Sequence, residues 1–168
     1  MRLLVCLSIV LSISTYISPT FAYDICFQQA GAEYRVSPEL LKAISSHESN
    51  NTTAAVNMNS NGTYDIGLMQ INSLWKKHLR PETWARITEP CVNIRVGAWI
   101  LSQCVRDFGY GWDAVGCYHS RTPSKRDWYA RRIAAKIYQT NYASPTRVSG
   151  IQTGDIASFS PLGHNNDL

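Results

Sequence analysis

Apolar side chains recur at intervals of three and four over most of this chain, the spacing of helices with one buried face. Ile25 to Tyr34 reads as a short helix. Ser37-Pro38 then opens a second, with Ser as N-cap and Pro at the first helical position. Leu40, Leu41 and Ile44 follow on one face. From Asn50 to Thr63 the pattern gives way to polar residues, and Asn61-Gly62 suits a tight hairpin turn from which Tyr64-Asp65 returns. Gly67 to Ile71 is read as a further helical segment. Trp75, Leu79 and Trp84 add aromatic and apolar bulk, suited either to a core or to the lining of a cleft. From Val92 to about Phe108, Val92, Val96, Trp99, Ile100 and Val105 make a helix apolar nearly all round, the mark of a buried central helix. Gly109-Tyr110-Gly111 breaks it. Trp112 to Tyr118 is a short helix, and Thr122-Pro123 opens a last one through Trp128, Ile133 and Ile137 to about Tyr138. Lys125, Arg126, Arg131, Arg132 and Lys136 decorate its outer face. The expected fold is α+β, mostly α, with one small β-hairpin lobe.

The two ends read differently. Met1-Arg2, the apolar run from Leu3 to Ile17 and the small-residue ending Thr20-Phe21-Ala22 make a secretory signal peptide, cleaved after Ala22. Serines and a threonine interrupt the run, which is short for a membrane span. From Ala143 onward the chain is rich in Ser, Gly, Pro and Asn without periodicity, as a disordered tail is. The expected organisation is a leader at 1–22, one domain at 23–142 and a tail at 143–168.

Charge and cysteine refine this little, but in one direction. Loss of Arg2 with the leader lowers the net charge from +4 to +3. No basic stripe is interleaved with aromatics, so nucleic acid is not the expected partner. Cys6 leaves with the leader. Cys26, Cys91, Cys104 and Cys117 remain, an even set that suits an oxidising compartment. Of three pairings, Cys26–Cys91 and Cys104–Cys117 are favoured. A zinc site is disfavoured, since no Cys-x-x-Cys occurs and His119 is the one nearby imidazole.

Two carboxylates carry the candidate chemistry. Glu48 falls four residues after Ile44 and seven after Leu41, so it lies on the apolar face of its helix. Burial there disfavours the ionised form and suits a general acid. An ion-paired structural Glu is the competing reading. Asp65 follows just past the Asn61-Gly62 turn, where an Asp can also serve merely as a turn cap. Together, one acid kept protonated and one kept ionised are what glycoside cleavage requires.

Glu48-Ser49, Gly67-Leu68-Met69-Gln70-Ile71, Asn93-Ile94-x-x-Gly97-Ala98 and Ala114-Val115-Gly116-x-Tyr118 resemble, in order and spacing, four successive motifs of the lytic transglycosylases with a goose-lysozyme-like fold. The wording Asp65-Ile66-Gly67-Leu68-Met69-Gln70-Ile71-Asn72-Ser73 and Pro90-Cys91-Val92-Asn93-Ile94 resembles in particular the small specialised transglycosylases of conjugation, pilus and type III and type IV secretion machines. The likeness runs from about Cys26 to Tyr142. Glu48-Ser49-Asn50 and the stretch from Asn59 to Ser73 also resemble the c-type lysozymes, including the aspartate that many lytic transglycosylases lack. The fourth motif departs from the family's Tyr-Asn-Ala-Gly, reading Tyr118-His119-Ser120-Arg121 here.

The resemblance implies a lysozyme-like fold and cleavage of the β-1,4 bond between N-acetylmuramic acid and N-acetylglucosamine in peptidoglycan, leaving 1,6-anhydro ends. It implies Glu48 as catalytic acid and then base, with Asp65 stabilising positive charge or positioning substrate. Ser49, Met69, Gln70 and Tyr118 are implied to bind substrate or orient the acid. No metal or cofactor is expected. The implied setting is the periplasm, after export across the inner membrane and with no membrane span left, beside a secretion, pilus or conjugation machine. The alternatives are a lysozyme-type hydrolase using Glu48 and Asp65, and a non-catalytic wall-binding assembly protein.

Overall fold

A computed structural model describes residues 19–142, with side chains from 23 to 140. The tail and nearly all of the expected leader lie outside the described residues. The described residues form six α-helices and a small sheet at their side: α1 (Pro19–Tyr34), α2 (Pro38–Ser49), α3 (Pro81–Ala85), α4 (Pro90–Phe108), α5 (Trp112–His119) and α6 (Pro123–Tyr142). The strands are β1 (Val56–Met58), β2 (Tyr64–Ile66) and β3 (Ile71–Asn72), followed by a 3-10 helix at Ser73–His78. The architecture is the α+β, mostly helical one that the periodicity predicts.

The helix starts follow from local chemistry. The Ser37 hydroxyl accepts the Leu40 N–H at 3.2 Å and Pro38 fills the first turn, where a missing N–H costs nothing. Pro90 fills the first turn of α4 likewise, without a side-chain cap, two residues earlier than the apolar pattern suggests. The last helix continues past Tyr138 because no Gly or Pro stands before Pro145. It buries Tyr129 and Ile133, at 1% and 0% exposure, while Trp128 faces solvent. α4 packs on α1 and α5, and α6 packs on α5 and α2. Leu41, Ile44, Leu68, Met69, Ile71, Ile94, Leu101, Tyr129 and Ile133 are almost wholly enclosed between them.

The expected β-hairpin lobe is present and carries a third strand, while one expectation about the segment after β2 is corrected. The order is β1-β2-β3, all antiparallel, with Asp65 opposite Asn57 on one side and Asn72 on the other. The segment from Gly67 is a turn leading into β3, not a helix. Gly67 and Gln70 both take positive φ, +75° and +46°, which no right-handed helix accommodates. The turn drives Leu68 and Met69 into the core, at 1% and 0% exposure, before Ile71 pairs with Ile66.

Both favoured disulfides are present, Cys26–Cys91 and Cys104–Cys117. The first joins α1 to the start of α4 and the second clamps α4 to α5. None of these four cysteines is left as a thiolate for a metal. Among the described residues no helix is long and apolar enough to cross a membrane. Replacing Cys104 and Cys117 together by Ser is expected to lower the unfolding free energy by about 3 kcal/mol, as for a loop of roughly 15 residues. Guanidinium unfolding of the variant against the oxidised wild type measures this, and an unchanged midpoint would refute it.

Candidate active site

Glu48 occupies the last turn of α2. Asn50 ends the helix in the left-handed conformation, its N–H returning to the Ser45 and Ser46 carbonyls. Ser49 fastens this end to the turn after β2, its hydroxyl donating to the Leu68 carbonyl at 2.9 Å and accepting the Thr52 N–H at 3.1 Å. The Glu48 carboxyl is thereby held at the edge of the core. Its Oε1 accepts a hydrogen bond from the Tyr129 hydroxyl of α6 at 2.5 Å. Burial raises its pKa to about 7; the Tyr129 bond opposes that rise and the Asp65 charge adds to it. A carboxyl so placed is half protonated near neutrality, able both to give and to take a proton. The Tyr129 phenol is itself raised well above its usual range, by burial first and then by the Glu48 charge, so it stays a donor.

Asp65 is held differently. Both of its oxygens accept amide N–H bonds, from Asn59 at 2.9 Å and from Asn72 at 2.7 Å. Asn72 is its partner across β2 and β3, and Asn59 sits at the root of the β1–β2 turn. Glu48 and Asp65 line one cleft of about 710 Å³. The sheet and the turns between its strands contribute amide and hydroxyl groups to it, from Asn57, Asn59, Asn61, Thr63, Gln70 and Asn72. Helices α5 and α6 and the turn between them contribute Tyr118, His119, Arg121 and Lys125. Neutral amides suit the hydroxyl and acetamido groups of sugars. Trp75 does both things its type allows, lining the cleft and meeting Trp99 edge-on at 5.4 Å.

Among the residues expected at the site, Glu48, Asp65, Gln70 and Tyr118 line this cleft. Gln70 is fixed by its amide, accepting from Asn57 at 2.5 Å and donating to the Gly67 carbonyl at 2.8 Å. Tyr118 donates to the Met69 carbonyl at 2.8 Å. The expectation of a substrate contact from Met69 is corrected, since its side chain is fully buried against Gly97 and only its backbone serves the site. Ser49 likewise is spent on the backbone bonds just described.

The motifs turn out to be docking surfaces for one another. Asn93 of α4, 1% exposed, accepts the Met69 N–H at 2.8 Å and donates to the carbonyls of Ile66 at 2.9 Å and Ile87 at 3.0 Å. A Cβ on Gly67 would stand 2.5 Å from the Asn93 amide nitrogen, and one on Gly97 would stand 2.8 Å from Met69. A Cβ on Gly116 would meet the Arg126 carbonyl oxygen at 2.2 Å, so its absence lets α6 approach α5. That approach brings Tyr129 to Glu48.

Sequence reasoning missed Tyr129, Asn59 and Asn72. Tyr129 was detectable, since Tyr129, Ile133 and Ile137 keep a strict four-residue spacing that Trp128 does not. The two asparagines carry no such signal, because their partner Asp65 is fixed by strand register.

Residues 25–141 match the family model described as transglycosylase SLT domain. The chain is 39% identical over 124 residues to the invasion protein IagB of Salmonella typhimurium, covering 72% of this chain and 77% of that one. It is 37% identical over 117 residues to protein IpgF of Shigella flexneri, covering 68% and 77%. It is 36% identical over 121 residues to the X polypeptide of Escherichia coli, covering 68% and 70%. A helical body with a small antiparallel sheet, a half-buried glutamate facing a polar cleft and a family match over most of its length lead to one conclusion: the chain belongs to the transglycosylase SLT domain family, lysozyme-like lytic transglycosylases that act on peptidoglycan.

Proposed function

We propose that the enzyme cleaves the β-1,4 bond between N-acetylmuramic acid and N-acetylglucosamine, with Glu48 as its acid and base, and leaves 1,6-anhydro ends. The observation that carries this reading is the Glu48 carboxyl, half-buried beside Tyr129, raised to about 7 and open to the amide-lined cleft. Protonated Glu48 gives its proton to the departing glycosidic oxygen as the bond to C1 breaks. The oxocarbenium-like centre at C1 is then attacked by the C6 hydroxyl of the same sugar. Glu48, now ionised, takes that hydroxyl's proton, so no water is consumed and the acid is restored. Asp65, held by Asn59 and Asn72, supplies negative charge to the positive centre or positions the sugar. No metal or cofactor enters the sequence.

Mass spectrometry of the fragments released from peptidoglycan tests it. Anhydro-muramic ends are expected. Reducing ends, heavier by one water, would favour the lysozyme-type reading, for which the observation is Asp65 held within the same cleft. Binding without fragments would favour a wall-binding protein. A second measurement reads the acid directly. The rate is expected to fall as pH rises through about 7, because the proton that Glu48 must donate is lost. A rate unchanged from pH 6 to 9 would remove Glu48 from the role.

The setting belongs to the same proposal. A muramidase exported to the periplasm opens gaps in the wall for a secretion, pilus or conjugation assembly. Support comes from the motif resemblance and from the name invasion protein carried by the Salmonella relative. The exposed cations Arg131 and Arg132 on α6 offer such a partner a surface away from the cleft.

A further inference from the structure

The residue after Tyr118 departs from the family wording, and its ring does something an asparagine cannot. His119 lies flat on the Tyr129 ring, with centroids 5.1 Å apart and planes 2° from parallel. Tyr129 is 1% exposed, whereas His119 is exposed and lines the cleft. The imidazole therefore stands between the Tyr129 ring and the cleft. His47 of α2 meets Tyr129 edge-on at 5.3 Å, and Tyr118 lies against it at 6.4 Å. Trp128 flanks both histidines, at 6.3 Å from His47 and 6.0 Å from His119. The one polar group of the ring so enclosed is the hydroxyl that reaches Glu48 at 2.5 Å.

We propose that His119 is a positioning residue for the acid: by stacking on Tyr129 it holds that phenol on Glu48, and so sets how readily Glu48 gives up its proton. The proposal rests on the reading of Glu48 as the acid. Stacked aromatic rings prefer defined offsets, so a flat partner restricts the tilt of the Tyr129 ring where a small side chain would not. The hydroxyl sits at the far end of that ring, and a small rotation there lengthens the bond to Oε1. The Tyr129 bond favours the carboxylate form of Glu48. Loosening it therefore favours the protonated form and moves the loss of activity to higher pH.

Lys125 of α6 and Asp65 of β2 both act on His119, the first against its protonation and the second for it, while partial loss of water on the side facing Tyr129 is the largest influence and also opposes the cation. His47 across the ring is likewise held below its usual range, by burial first and then by Lys136 and Arg132. Arg121 next to His119 is taken up by Asp107. Glu48 is faced by Tyr129, Tyr118 and Asp65. Both histidines that touch Tyr129 are thus shifted towards their neutral form.

The test uses the full mature protein on soluble glycan strands, with kcat and KM measured from pH 5 to 9. His119→Ala is expected to lower kcat by about tenfold through misplacement of the acid. KM is expected to stay within about twofold, with the alkaline limb displaced upward in the same direction as in Tyr129→Phe. His119→Phe, which keeps the stack and removes the nitrogens, is expected to restore both. In the Tyr129→Phe background, His119→Ala is expected to add nothing, since the two act through one bond. A raised KM with the limb unmoved would instead make His119 a sugar contact and overturn the proposal, as would fully multiplicative effects. Failure of the underlying reading looks different: Glu48→Gln would then cleave as well as wild type.

Discussion

Glu48→Gln is expected to keep the fold and to lower fragment release roughly a thousandfold, the combined loss of a general acid and the base it becomes. Gln keeps the shape and still accepts the Tyr129 hydroxyl, so the change removes the titrating proton and little else. The same substitution carries an opposite and independent effect on stability. The folded-state pKa of Glu48, about 7, lies above its ordinary value of 4.5. Below about pH 4.5 the carboxyl is protonated folded or unfolded, and burial costs nothing. As pH rises towards 7 the unfolded chain ionises first, and folding is penalised by an amount that levels off at about 3 kcal/mol. The Gln variant escapes that penalty. It is expected to match the wild type at pH 4 and to be more stable at pH 8 by up to about 3 kcal/mol. Urea unfolding of both proteins at the two pH values gives the difference directly, because every other titrating group is shared. Equal stability at pH 8 would mean that the carboxyl is not buried as described.

Asn93→Ala is the second large effect. It removes three buried hydrogen bonds at once and leaves the Met69 N–H and the Ile66 and Ile87 carbonyls to find other partners. The expected cost is about 4 kcal/mol, from unsatisfied polar groups and the space left behind. Activity is expected to fall as well, even far below the variant's unfolding midpoint. The Met69 carbonyl that receives Tyr118 belongs to the turn that Asn93 holds. Urea unfolding and fragment release at low temperature separate the two effects. A cost below about 1 kcal/mol would show that the turn is held by other contacts, chiefly the packing of Leu68 and Met69.

The helices were legible because each carries its own evidence. Ser37-Pro38 starts α2 by local bonding, and the face bearing Leu41 and Ile44 points Glu48 inward by periodicity alone. The even cysteine set pointed to two disulfides, and the pairing favoured among the three possible is the one present. What the sequence hid was decided at long range. Gly67 to Ile71 reads as helical because its apolar residues are contiguous. Its backbone instead turns twice through positive φ to meet Asn93, twenty-four residues after Met69. Met69 sits in a motif beside Gln70, and only the packing against Gly97 shows that its side chain faces the core. Tyr129 reaches Glu48 across eighty-one residues. The amide pair around Asp65 depends on a strand register that strands of two and three residues barely encode.

The glycine contacts divide the molecule into positions of very different evolutionary freedom. Gly67 is locked to Asn93, Gly97 to Met69 and Gly116 to the backbone of Arg126, each with no room for one carbon atom. No single substitution at these sites can be absorbed alone, so drift there must proceed in coordinated pairs or not at all. Arg121 and Lys125 are exposed at the cleft edge and bind no backbone group of the locked turn. They can be exchanged one at a time while the acid keeps its place. Descendants of such a chain are free to diversify in the wall chemistry they prefer long before they can abandon the reaction.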